Sequence, residues 1–533
     1  MVNKFFPDNI WRHLAEKYKM EKRTFLFTFF LGVIIYLRMI TLWLTNPDGV
    51  WQGMVYKSYY GWEDILGRVG LGVFNRWKGY YQFPALQTIF CILIAAVIAV
   101  LLCCLLEIRK YPWNYIVGGL VICSPSLCST LTYYYTADAY LLAYLFAVLF
   151  VWCLVKRHTW KHYILAVVLL AVSASIYQAY IGSAITLCLL YLLFGIIRNN
   201  ESAKQLISRG CRFLTAGGCA LALYLLSYKM MCRWKGISPV ADRGFDSMGK
   251  IPLGRIPMLI KQSYHYFFSY YFTDELYNNT WMGRGKLNML AAIIILAVLV
   301  RCMAKREYHQ KVMEIVIAIV AVLLIPMAFM SIVIMAPECS IAGVTGILML
   351  PHMNWIYIFG IALAVGRQGM NTTDWQGVVA EWTVLFTLGG LLFILGLYTQ
   401  VFQNCIQMDL HRIYALAQQI VGRVNSEADY TPGLALVIGG DEERGNYPRP
   451  YEDMYQVVKG TAAEYGLVWD SANGRQNCWN QFFRQYMGLE YSVSAGEQSE
   501  RILSGQEYAE MSVFPADGSV KIIEGCVVVK LSD

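Results

Sequence analysis

Three carboxylates, Asp48, Glu63 and Asp64, fall within residues 46–84 together with Arg68, Arg76 and the tryptophans Trp51, Trp62 and Trp77. They occur in short runs: Asn46-Pro47-Asp48-Gly49, Gly61-Trp62-Glu63-Asp64, Gly67-Arg68 and Asn75-Arg76-Trp77. A carboxylate beside arginines could take a proton from a hydroxyl while a guanidinium meets a phosphate. Two further segments add phenols and an amide: Tyr133-Tyr134-Tyr135-Thr136-Ala137-Asp138-Ala139-Tyr140 and Ser175-Ile176-Tyr177-Gln178-Ala179-Tyr180. Residues 229–286 mix Arg243, Lys250, Arg255, Lys261 and His265 with the aromatic run 264–272. Aromatic faces with amides and carboxylates suit sugars, whose rings have apolar faces and hydroxyl rims. Each residue also has a plainer reading. Asn-Pro-Asp-Gly is ordinary turn chemistry, Asp138 complements a helix dipole, and tryptophans mark a membrane interface.

Other chemistries find no support in the motifs. There is no GxxxxGK[ST] to hold a nucleotide triphosphate, no H-E-x-x-H, no Asp-x-Asp and no CxxC. The 15 cysteines are scattered, many in apolar runs, where cysteine acts as a small hydrophobe. His158 and His162 stand beside Lys156 and Lys161 and read as membrane-surface anchors.

These residues must be positioned by a membrane scaffold. Of 533 residues, 57% are hydrophobic and 15% charged, against ~45–50% and ~25% in soluble domains, and mean hydropathy is +0.44. Soluble enzyme classes are excluded. Apolar runs long enough to cross hydrocarbon lie near 24–45, 84–106, 114–132, 137–155, 162–177, 180–197, 212–230, 287–303, 313–335, 348–366 and 378–402, about eleven in all. With the N-terminus in the cytoplasm, twenty Lys and Arg fall in inner segments, while the short outer turns at 131–137, 177–180 and 336–351 hold none. Loops 46–84 and 229–286 and the tail 403–533 are then outside.

Net charge divides at the same point, +16 over residues 1–402 and −8 over 403–533, which argues against nucleic acid as a partner. In the tail, 409–424 reads as an amphipathic helix, 434–438 as a buried strand, and 520–523 with 526–531 as strands turning at Glu524-Gly525. The fold class expected is an α-helical polytopic membrane protein (residues 1–402) with a small extracytoplasmic α/β domain (residues 403–533).

The ordered runs Asn46-Pro47-Asp48-Gly49, Trp62-Glu63, Gly67-Arg68, Tyr135-Thr136-Ala137-Asp138 and 175–182, with Pro515-Ala516-Asp517-Gly518-Ser519 and Val527-Val528-Val529-Lys530 in the tail, resemble the bacterial glucosyltransferase GtrII family. The resemblance covers nearly the whole chain. It departs at Gly61, where an acid is expected before Trp62, and at Asp64, an extra acid after Glu63.

The resemblance implies a GT-C-type, inverting transferase that moves a hexose, glucose by family, from a polyprenyl (undecaprenyl) phosphate to a cell-surface glycan on the outer side of the bacterial cytoplasmic membrane. It implies Asp48 as catalytic base, with Glu63 the nearby alternative. Arg38, Arg68, Arg243 and Arg255 are then candidate donor-phosphate partners. Trp62, Asp64, Arg76, Tyr135, Asp138, Tyr177, Gln178 and His265 are candidate sugar or acceptor contacts, and Lys530 a contact from the tail. The donor is lipid-linked. Membrane lipid, the surface glycan, a donor-synthesising glycosyltransferase and a flippase are the implied partners, and a divalent metal is left open. Two other classes share the architecture: a surface-polysaccharide polymerase, and a lipid-linked glycan flippase or transporter, which would need a polar mid-membrane cavity.

Overall fold

The computed structural model describes residues 19–56, 61–156, 159–197, 201–238, 252–304, 312–339, 341, 343, 345–365, 375–469, 471–494 and 496–533. The apolar runs fold as helices, because in hydrocarbon every backbone polar group must be satisfied within its own segment. Among the described residues, seven helices are long and apolar enough to cross a membrane: Pro84–Leu105, Ala137–Lys156, Gln178–Ile197, Ala203–Lys235, Trp281–Met303, Val312–Phe329 and Glu381–Ser426. The remaining expected spans are helical but short or broken. Two are Trp160–Ile176 and Trp355–Val365. The span near 24–45 divides into Lys19–Ile35 and Leu37–Thr41, and that near 114–132 into Trp113–Ile122 and Pro125–Thr130. Helix length alone therefore does not reproduce a count of eleven.

The break at 122–125 is repaired from the break at Tyr36. Pro125 has no N–H to continue the ladder, which frees carbonyls at the end of Trp113–Ile122. Tyr36, at the other break, donates its phenol to the Ile122 carbonyl at 2.7 Å.

Two expectations are corrected. The described part of 229–286, residues 229–238 and 252–286, is mainly helical rather than loop: Ala203–Lys235 runs through its start, and Ile256–Phe272 packs against Ser331–Met335 and Arg284–Ala304. Leu259, Ser263, Phe267, Tyr270 and Tyr271 form its buried face at helical spacing. Lys261, Gln262 and His265 on the same helix kept its hydropathy low. Second, the helix expected over 409–424 is the end of one 52-residue helix, Trp375–Ser426, about 78 Å long at 1.5 Å per residue. The boundary expected at 402/403 falls inside it, since no proline interrupts the chain there.

Beyond that helix the chain forms a four-stranded sheet, β1 (Ala435–Gly439), β2 (Ser492–Val493), β3 (Val520–Ile523) and β4 (Cys526–Lys530), in the order β2-β1-β4-β3. β1 is parallel to β2 and β4, and β3 is antiparallel to β4. Glu524 and Gly525, both with positive φ, make the two-residue turn that such a hairpin prefers. β4 is apolar on both faces because both are covered: Val527 and Val529 pack with Ile413, Ile420 and Trp479, and Val528 packs with Ile502 and Met511. Val50, from the first loop, belongs to the first of these cores.

Candidate active site

Asp48 is placed by an N-cap. The expected Asn-Pro-Asp-Gly turn is the start of a short helix, Pro47–Gln52, in which the Asn46 side chain accepts from the Gly49 N–H at 2.8 Å and Pro47 occupies the first turn. Asparagine as cap followed by proline is the residue order a helix start favours, and a carboxylate in the first turn suits the dipole. Thr45 Oγ1 donates to the Thr132 carbonyl at 2.9 Å and Asn46 Nδ2 to Thr132 Oγ1 at 3.1 Å, which ties this start to the outer turn at 131–137. Gly49 leaves no room for a side chain, since a Cβ would stand 1.8 Å from Thr45 Oγ1.

Asp48 opens onto a cleft of about 1270 Å³. Trp51, Trp62 and Tyr81 line it from the first loop, and Trp469, Asn477, Gln481 and Arg484 from the tail. The carboxylate acts on both sides of its position. Burial and then Asp48 raise the Tyr135 phenol well above its usual range, and burial, with Asp48 adding to it, pushes the Cys478 thiol up to about 12.

Tyr135 joins Asp48 to a second cluster. Its ring lies 4.8 Å from that of Tyr56, and Tyr56 and Asn75 face the buried carboxyl of Glu63. Burial raises Glu63 above the ordinary carboxylate range, and its Oε1 finds no hydrogen-bond partner. Arg68 sits over the Tyr177 ring at 4.8 Å and donates to the Tyr140 hydroxyl at 3.3 Å. Its Nε is shielded without a hydrogen bond, and among the described residues no carboxylate pairs with it. A guanidinium held by phenols, with an unused N–H, is suited to an anionic oxygen.

Other expected site residues are committed within the protein. Asp138 is buried in an ion pair with Lys78 at 3.0 Å and accepts from Gln87 Nε2 at 3.0 Å. Gln178 donates to the Leu66 carbonyl at 2.8 Å and to the Tyr224 hydroxyl at 2.9 Å, while Tyr224 donates to the Gly67 carbonyl. These bonds brace the loop that carries Arg68. Asp64 pairs with Lys235, and Arg76 Nε reaches the Tyr80 hydroxyl at 3.4 Å.

Several residues lie apart from the cleft. Arg255 pairs at 3.9 Å with Glu338, and His265 at 2.9 Å with Glu275, all well exposed. Arg38 follows the helix break at Tyr36, with its Nη1 buried and unbonded. Lys530 is buried in β4, donating to the Ala509 and Met511 carbonyls and pairing with Asp533. Arg243 lies outside the described residues. Sequence reading missed Tyr56, Lys78, Trp469 and Gln481, for which the only signal was residue type. Among the described residues no group of three or more His, Cys, Asp or Glu is placed to hold a metal.

Apolar helices of membrane-crossing length, with a loop carboxylate opening on a cleft of indoles and amides, define an integral membrane protein with a polar and aromatic cleft. A model of the glucosyl transferase GtrII family matches residues 54–399, and the chain belongs to that family. The protein is thus a glucosyltransferase by family. The matched segment contains Glu63, Arg68, Asp138 and Gln178, with Asp48 and the tail on either side of it. Comparison with curated proteins and with solved structures finds no match.

Proposed function

We propose that the protein is an inverting, GT-C-type glucosyltransferase of the bacterial cytoplasmic membrane that moves a hexose from a polyprenyl phosphate to a surface glycan at the outer face. The observation that carries this reading is the position of Asp48. It is a carboxylate open to a cleft of indoles and amides, and it shares Tyr135 as a neighbour with the tyrosines around Arg68. Asp48 accepts the proton of the acceptor hydroxyl as that oxygen attacks the anomeric carbon. The bond from the anomeric carbon to the phosphate oxygen breaks, and the polyprenyl phosphate departs with the electron pair. Arg68 meets its charge, and Arg38, whose buried Nη1 has no hydrogen bond, is a second candidate cation. A phosphate at an anomeric centre already leaves well, so no nucleotide is needed. The distribution of Lys and Arg supports an inner N-terminus and an outer tail, where a partner glycosyltransferase and a flippase would deliver the lipid-linked donor.

Purified protein in lipid nanodiscs should transfer glucose from polyprenyl-phosphate glucose and show no turnover with UDP-glucose alone. Efficient direct use of UDP-glucose would overturn the reading.

A further inference from the structure

The cleft at Asp48 has two walls from distant parts of the chain, one from the first loop and one from the tail. The walls are fastened together. Cys478 Sγ lies 3.6 Å from the Pro47 carbonyl, Asn477 Nδ2 donates to the Trp51 carbonyl at 3.3 Å, and Tyr486 donates to the Trp43 carbonyl at 2.9 Å. Val50 is part of the tail's own core. At Gly53, with φ at 62°, a Cβ would stand 2.5 Å from Gln481 Oε1, so backbone and amide meet closely at the cleft edge. The tail does not hang from the last helix as a separate body. It completes the rim around Asp48.

The chemistry of the lining selects among ligands. Trp51, Trp62, Tyr81 and Trp469 offer flat apolar faces, and Gln481 offers both a donor and an acceptor. Among the described residues, Arg484 is the one cation in the lining and Asp48 the one carboxylate. A lipid phosphate is better met at Arg68, and an acyl chain would strand the amides unpaired. The volume of about 1270 Å³ exceeds the ~300–1,000 Å³ of sites for drug-sized ligands, so it holds more than one sugar ring.

We propose that Trp469 and the helix Ala472–Phe482 form the acceptor subsite, which takes a run of several uncharged sugar residues of a polysaccharide and lays one hydroxyl against Asp48. This rests on the transferase reading above and extends it: the tail selects the glycan, while the membrane part handles the donor.

The test uses the full-length protein in nanodiscs, polyprenyl-phosphate glucose as donor, and oligosaccharides of one, two and three repeats released by mild acid from the host's surface polysaccharide. The wild type should prefer two or three repeats over one. Trp469→Ala and Gln481→Ala should each raise the acceptor KM about tenfold or more while the donor KM stays where it is. Gln481→Ala keeps the test open if loss of the indole unfolds the tail. A rise in donor KM with acceptor KM unchanged would overturn the proposal and leave the transferase reading standing, as would unchanged KM values for both substrates. If the wild type transfers nothing, the transferase reading fails, and tryptophan quenching by the same oligosaccharides then decides the cleft separately. Quenching that is weakened in Gln481→Ala supports a glycan site, and absence of quenching in the wild type overturns it.

Discussion

Asp48 and Glu63 are carboxylates of one loop in opposite environments. Asp48 stands on a capped helix start and faces open volume, where an acceptor hydroxyl can reach it. Glu63 is sealed beneath Tyr56 and Asn75, and burial raises its pKa. If Asp48 is the base, Asp48→Asn lowers kcat by about 10²–10⁴-fold, the usual contribution of a general base. Membrane insertion should be unchanged, because the amide has the same shape, and stability should shift by no more than the ~0.3–1 kcal/mol of a first-turn charge. Glu63→Gln should keep most of the activity. The reverse pattern, an active Asp48→Asn and a dead Glu63→Gln, would move the base to Glu63. The rate would then fall with acid from a higher pH than an ordinary carboxylate gives, in keeping with the direction of the Glu63 shift.

At the scale of elements, the long helix Trp375–Ser426 is the beam that joins membrane and tail, and its joint is ionic. Arg412 on that helix contacts Asp409 at 3.2 Å, Glu443 at 3.4 Å and Glu442 at 3.8 Å, and Arg449 contacts Asp409 at 3.5 Å. Burial outweighs Arg412 at Glu442 and pushes its carboxyl up to about 7. An unfolded chain has this group near ~4.3. Between those values the folded protein holds a proton that the unfolded chain releases, so stability falls as pH rises through the window, on the order of 3 kcal/mol in full. Glu442→Gln removes that term. The variant should unfold at a higher temperature than wild type at pH 8, with the difference shrinking towards pH 5, as read by thermal unfolding in detergent. Parallel pH profiles for the two proteins would show that Glu442 is ionised at no such cost.

At the scale of the whole molecule, everything rests on which side of the membrane the tail occupies. A reporter fused after Asp533 should report the extracytoplasmic side, because the short turns without Lys or Arg all fall on the face that carries Asp48. Cytoplasmic signal from the fusion would place the cleft on the wrong side for a lipid-linked donor presented outside. Much of this scale was legible beforehand. Apolar composition places the chain in a bilayer, and charge asymmetry gives the orientation that the fusion tests, since both are sums over many residues and need no knowledge of contacts. The strands at 435–439, 520–523 and 526–530 were legible for a similar reason: an apolar run between turn residues is a local signal.

The tertiary structure alone decided which of the chemically apt residues are available. Asp138 and Gln178 have the types a sugar site uses, yet one is held by Lys78, 60 residues away, and the other braces the chain at Leu66, 112 residues away. Trp469 and Gln481 looked like ordinary tail residues until the tail closed on the first loop, with Cys478 meeting Pro47 across 431 positions. Sequence by itself determined the apolar helices and three of the strands in the tail, because hydropathy and periodicity act over a few residues. Partner choice is set by packing between distant segments, and no local pattern of residue types encodes it.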